Sequence, residues 1–209
     1  MSSVAAVLTG DLVGSTRAGP TAVEAAMAAL GAGAQVVAGW TGADTRFTRF
    51  RGDGWQIYLE DPGLAFRACL YLTACLRAGD AGLATRIAAG IGAVAELPTG
   101  RLDSAGGAAF ELSGHALDMM PRGRRLVLAA PALPGEAAGV FALADALSRH
   151  WTAKQAEALT LALAPGAPSQ SEMAAKLGIT QQAFAIRLNG AGLWGLDESL
   201  RQFEARSYA

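Results

Sequence analysis

The chain carries only two cysteines, Cys69 and Cys75, among 209 residues. They lie within one apolar stretch, and six helical steps of about 1.5 Å would put their Cα atoms roughly 9 Å apart, beyond disulfide reach. Buried thiols are therefore expected. Histidine is equally scarce, and His115, with no second histidine or thiol at ligand spacing, reads as a polar helix residue. Neither sign of charge is in excess, since 17 Lys and Arg face 18 Asp and Glu. A net charge of −1 gives no global attraction to nucleic acid or to a membrane surface. No uninterrupted apolar run approaches the roughly 18 residues that span a bilayer, and the N-terminus lacks a charged leader region. Neither anchor nor signal peptide is expected, which points to a cytoplasmic location. Aromatics are few, and Trp40, Trp55, Trp151 and Trp194 are scattered as core or interface anchors would be, rather than grouped as a base-stacking platform.

Two aspartates stand out at the ends of short apolar runs. Asp11 follows Val7-Leu8-Thr9-Gly10, and Asp53 sits in Phe50-Arg51-Gly52-Asp53-Gly54. The second lies between strand-like stretches at 45–50 and 55–59, so Gly52 and Gly54 predict a tight hairpin. Carboxylates delivered by adjacent strands are what a two-metal phosphoryl-transfer site requires; the plainer alternative is that both mark turns. Downstream, Glu111-Leu112-Ser113-Gly114-His115-Ala116-Leu117-Asp118-Met119-Met120-Pro121-Arg122 places Glu111, Asp118 and Arg122 at spacings of seven and four, near one helix face.

Taken in order over about residues 4–130, these segments resemble the catalytic domain of class III nucleotidyl cyclases. The resemblance implies that Asp11 and Asp53 hold two divalent cations, Mg²⁺ or Mn²⁺, and that Arg122 neutralises charge developing on a nucleoside triphosphate. It places Gly14, Ser15 and Thr16 beside the nucleotide and gives the base-reading pair as Arg49 and Glu111, a pair that departs from the family pattern. It also puts Asp118 where the family has a ribose-orienting Asn, and a further carboxylate near phosphates carries an electrostatic cost. Sites of this kind are shared between two chains, which implies a homodimer.

The C-terminal third carries a different signal. Ser169 followed by Glu172 is a capping box after Pro168, Gly178 permits the backbone that ends one helix, and Thr180 can cap the next. With Ala174 small where helices approach and Phe184 as an apolar anchor, residues 169–189 resemble a helix-turn-helix. Its second helix would enter the major groove of double-stranded DNA, which makes Thr180, Gln181, Gln182 and Arg187 base-edge or phosphate candidates and Lys176 a phosphate candidate. From 151 to 209 the basic residues Lys154, Lys176, Arg187, Arg201 and Arg206 are balanced by Glu157, Glu172, Asp197, Glu198 and Glu204. One copy would bind DNA weakly, and a dimer with two half-sites would repair that.

The expected fold is α+β: a ferredoxin-like, class III cyclase-like antiparallel sheet with helices over residues 1–148, then a small all-α helix-turn-helix segment over 149–209. Expected elements are strands at 4–10, 45–51, 55–60, 85–95 and 125–130, and helices at 20–39, 62–78 and 112–121. Residues 131–149 read as a return to the sheet and a connection, and 97–107 as a surface loop. Helices starting near 152, 169 and 180 and one at 197–206 complete the chain. The preferred function is a DNA-binding transcriptional regulator whose first domain binds a nucleotide or mediates dimerisation. The alternative is an active nucleotidyl cyclase using the two metal ions.

Overall fold

The structure, a computed structural model, describes residues 3–50, 52–79, 81–95, 97, 102 and 105–208. Most of the loop expected at 97–107 therefore lies outside the described residues. Strand β1 (Ser3–Val13) is followed by a single turn α1 (Ser15–Ala18), helix α2 (Pro20–Ala38), the hairpin β2 (Thr45–Arg49) and β3 (Trp55–Leu59), helix α3 (Ala65–Ala78) and strand β4 (Ala84–Val94). Helix α4 (Ala108–Asp118) then leads to β5 (Leu126–Ala129) and α5 (Gly135–Ser148). The chain ends in α6 (Ala153–Ala162), α7 (Gln170–Lys176), α8 (Gln181–Gly190) and α9 (Leu193–Glu204).

The five strands form one sheet in the order β2-β3-β1-β4-β5. The first four are mutually antiparallel, whereas β5 runs parallel to β4 after the α4 crossover. The sheet is thus mixed, not wholly antiparallel as the sequence suggested. Central strand β1 is apolar almost throughout because both of its faces are covered. Ala6, Leu8 and Leu12 join the core beneath α2 and α3, while Ala5 and Val7 face the opposite layer with Ala109 of α4. Helix α4 lies so close that a Cβ at Gly90 of β4 would stand 2.5 Å from the Ser113 nitrogen, so only glycine fits there. A polar chain fastens this contact: Gln56 Nε2 donates to Thr9 Oγ1 at 2.9 Å, Thr9 Oγ1 and Ser113 Oγ are 2.8 Å apart, and Ser113 Oγ donates to the Phe110 carbonyl.

Local chemistry sets the helix starts. Pro20 opens α2, Asp61 accepts from the Gly63 amide ahead of α3, and complete capping boxes at Thr152–Gln155 and Ser169–Glu172 open α6 and α7. Helix α2 is the described helix long and apolar enough to cross a bilayer, but Ala26, Met27, Leu30, Gly33, Ala34 and Val37 on one side of it are buried in the core. Residues 131–149 depart most from expectation: they add no strand but form α5, which packs on β5 of the sheet and also touches α3 and α9.

The hydrophobic core runs without interruption from the sheet into the C-terminal helices. Phe66, Phe141 and Phe203, from α3, α5 and α9, meet with ring centroids 4.9–5.8 Å apart. Arg67 of α3 reinforces the junction. It is buried, donates to both carboxylate oxygens of Glu204 at 2.5 and 3.0 Å, and donates to the Leu163 carbonyl at 2.9 Å.

Candidate functional site

Asp11 is not a strand-end residue. Strand β1 continues past it to Val13, and its register partner on β4 is Arg86. Arg86 Nε donates to Asp11 Oδ1 at 2.8 Å and Nη2 donates to Oδ2, a two-pronged ion pair with side chains 36% and 25% exposed. The bonded Asp11 carboxylate holds the guanidinium above its ordinary pKa against the opposing effect of burial, with Asp118 and Asp53 adding attraction. Three of the expected site residues therefore do gather at one end of the sheet: Asp11 from β1, Asp53 from the β2–β3 turn, and Asp118 from the last position of α4. They gather around a protein cation.

Arg86 overturns the expected metal centre. Both oxygens of Asp11 are already engaged by a guanidinium that supplies the positive charge a Mg²⁺ or Mn²⁺ would have brought. Among the described residues no group of three or more His, Cys, Asp or Glu could hold a metal ion. The expectation of metal binding at Asp11 and Asp53, and of Mg²⁺ or Mn²⁺ as cofactor, is corrected accordingly. The one signal in the sequence was an arginine inside the otherwise uncharged run Ala84-Thr85-Arg86-Ile87-Ala88.

The remaining residues of the expected nucleotide site are dispersed. Arg49 of β2 pairs with Glu24 of α2 through two bonds of 2.7 Å and donates to the Gly52 carbonyl at 3.1 Å. That bond lowers the Glu24 pKa and raises that of Arg49. Glu111 is exposed in the first turn of α4, and no Arg49–Glu111 pair occurs among the described residues. Arg122 lies beyond the end of α4, exposed in the following turn, so it does not share a helix face with Glu111 and Asp118. Gly14 takes a left-handed conformation before Ser15 and Thr16, which lie in the four-residue helix α1. A helix this short offers little dipole to an anion.

The C-terminal helices keep more of their expected arrangement. Helix α7 ends at Lys176 with Leu177 as its cap, and the chain turns at Gly178, whose φ of +65° suits a residue without Cβ; the Thr180 hydroxyl accepts from the Ala183 amide to start α8. Met173, Ala174, Phe184 and Leu188 are buried between the helices, while Lys176, Thr180, Gln181 and Gln182 are exposed. Arg187 is half-buried and donates to Glu157 of α6 at 3.0 Å. It ties two helices together rather than facing outward, and nothing about Glu157 in the sequence identified it as the partner.

No protein-family model and no curated protein matches the chain. The expectation of a recognisable cyclase domain and DNA-binding motif is corrected to that extent. What stands is the geometry: a sheet-edge cluster organised by Arg86, and an exposed first turn of α8.

Proposed function

We propose that the protein is a dimeric DNA-binding regulator in which the first turn of α8 contacts duplex DNA, the α5–α9 face makes the dimer contact and the sheet domain serves as a rigid regulatory body. The observation that carries this reading is the division of α8: Phe184 and Leu188 are locked inward while Thr180, Gln181 and Gln182 at its N-terminal end are exposed. Amide side chains there match adenine edges, and a helix N-terminus favours a neighbouring phosphate. Lys176 stands exposed at the end of α7, where a backbone-contacting cation is needed.

The order β2-β3-β1-β4 with all neighbours antiparallel, connected through α2 and α3, supports reading the fold as ferredoxin-like βαββαβ with β5 as an added fifth strand. Catalysis is not part of the reading, because Arg86 occupies the carboxylate on which it would depend.

Dimerisation supplies what one copy lacks, since the charges of residues 151–209 cancel. An apolar groove of about 460 Å³ between α5 and α9 offers the surface, bordered by Leu143 and Trp194, which are 74% and 79% exposed. A side chain standing proud beside a groove of the same chain suits a two-fold contact in which each Trp194 enters the partner's groove.

Selection of bound duplexes from a random pool, followed by fluorescence anisotropy on the enriched sequence, tests the proposal. Enrichment of a two-half-site sequence, weakened by Gln182→Ala, is the expected result. A pool that stays random, or binding indifferent to Gln182→Ala and Lys176→Ala, overturns it.

A further inference from the structure

On the side of the sheet domain where β4 and β5 begin, a partly enclosed cavity of about 130 Å³ lies between α3, the segment entering β4, the start of β5 and the end of α5. Arg77, Arg125 and Arg149 all line it, together with Thr73, Thr85 and Ser148, and none of its described lining residues is acidic. Two of the arginines are steered by neutral carbonyls: Arg77 donates to Trp151 at 2.6 Å, and Arg149 donates to Gly123. Carbonyls orient a guanidinium without cancelling its charge. Arg125 is held through its backbone alone, its amide donating to Asp145 at 3.2 Å and its carbonyl accepting from Ile87 at 2.6 Å, and its guanidinium has no partner among the described residues. The nearby carboxylate, Asp145, is engaged by Arg124 at 2.9 Å.

Three like charges around one small cavity repel one another, and the repulsion grows where water is partly excluded. A guanidinium presents paired donors that match the oxygens of a phosphate. We propose that this cavity is a binding site for a small tetrahedral oxyanion, either inorganic phosphate or the phosphate end of a phosphomonoester. Size decides against a whole nucleotide. The space is several times the roughly 30 Å³ of a water molecule but well below the 300–1,000 Å³ of sites that enclose drug-sized ligands.

The cavity is wired to α8. Arg77 holds the carbonyl of Trp151, and the buried Trp151 donates through Nε1 to the carbonyl of Ala191, at the end of α8, at 3.0 Å. An anion that draws Arg77 toward itself loosens its hold on Trp151 and so alters the support of that helix end. This coupling rests on the DNA-binding reading only for its biological meaning, because both the site and its effect on α8 are measurable without DNA.

The test is isothermal titration of the full chain with sodium phosphate and, separately, with glycerol phosphate, at constant ionic strength set with sodium chloride. Hydrogen exchange of the 187–192 amides is followed in parallel. Saturable binding, weakened at least tenfold in Arg125→Ala and in Arg149→Ala, is expected; Arg125→Ala removes no described side-chain bond and so keeps the fold. Tighter binding of the ester identifies a phosphomonoester as the source, and tighter binding of inorganic phosphate identifies the free ion. Absence of saturable heat with both, or equal affinity in wild type and Arg125→Ala, overturns the site. Binding without any change in the 187–192 amides overturns the coupling to α8.

Discussion

Arg86 decides what the sheet-edge carboxylates can do. Its two bonds to Asp11 sit at partly exposed positions, so solvent screening discounts the charge-assisted value, and removing it by Arg86→Met should cost about 1–2 kcal/mol in urea unfolding. The loss comes from the broken pair together with repulsion among Asp11, Asp53 and Asp118, and Asp53→Asn should recover part of it. In the wild type, millimolar Mg²⁺ or Mn²⁺ should leave the Tm unchanged; a concentration-dependent rise would contradict the account of Asp11. The thiols provide a second check at this scale. Burial pushes Cys75 up to about 11, and burial likewise raises Cys69, Tyr71 and Tyr208. Each is an acid whose folded pKa exceeds its unfolded one, so the folded state holds more protons above pH 9 and stability falls as pH rises. For Cys75 alone the loss reaches about 2 kcal/mol by pH 11. Urea midpoints between pH 8 and 11 should decline, and Cys75→Ser, whose hydroxyl does not titrate there, should decline less steeply.

At the scale of elements, legibility followed how local the determinants were. The starts of α3, α6, α7 and α8 were readable because Asp61-Pro62, Thr152, Ser169 and Thr180 act on amides two or three residues away. Strand β1 was read too short because Gly10-Asp11 has the chemistry of a turn. Its extension depends on a distant partner, with Gly10 packed under the Trp55 ring and Asp11 paired across the sheet to Arg86. Helix α5 was missed because Pro131, Pro134 and Gly135 signal a break, although Pro134 merely precedes the helix and Gly135 opens it with free space around it. The same locality makes α8 testable. Thr180→Ala should destabilise by about 1 kcal/mol through the lost cap. Gln182→Ala should cost about 1–3 kcal/mol against a selected duplex and relax specificity at one position, whereas Lys176→Ala should weaken all sequences and lower the salt slope by about one. Arg187→Ala should show itself in thermal stability, by about 0.5–1 kcal/mol, because its partner is Glu157. Loss of DNA specificity with unchanged stability in Arg187→Ala would reverse the assignment of that residue.

At the scale of the molecule, the sequence suggested two units that meet at 148, whereas the core passes through that boundary. Arg67 is the clearest link between the halves. Its donors to Glu204 and Leu163 join α3 to α9 and to the end of α6, and no sequence pattern joins positions so far apart. Removing Glu204 strands a buried guanidinium. Glu204→Ala should therefore cost about 3 kcal/mol, at the lower end for a broken buried pair because Glu204 is itself 29% exposed. If the chain is one cooperative body, a single unfolding transition should shift when followed both by far-UV circular dichroism and by tryptophan emission. Two separated transitions, with only the C-terminal one displaced, would instead show that residues 149–209 unfold independently. Trp194 and Leu143 border the α5–α9 groove beside Asn189 and Gly190 of α8, so a contact there would fix the spacing of two α8 helices. Trp194→Lys places a charge on an exposed site, which the monomer tolerates, while an apolar two-fold contact would bury that charge unpaired. Sedimentation equilibrium should show a dimer in the wild type and a monomer in Trp194→Lys, with the far-UV spectrum unchanged and duplex affinity reduced at least tenfold. A wild type that remains monomeric at micromolar concentration while binding DNA with full specificity would remove Trp194 from the interface and leave α8 to act as a single reading helix.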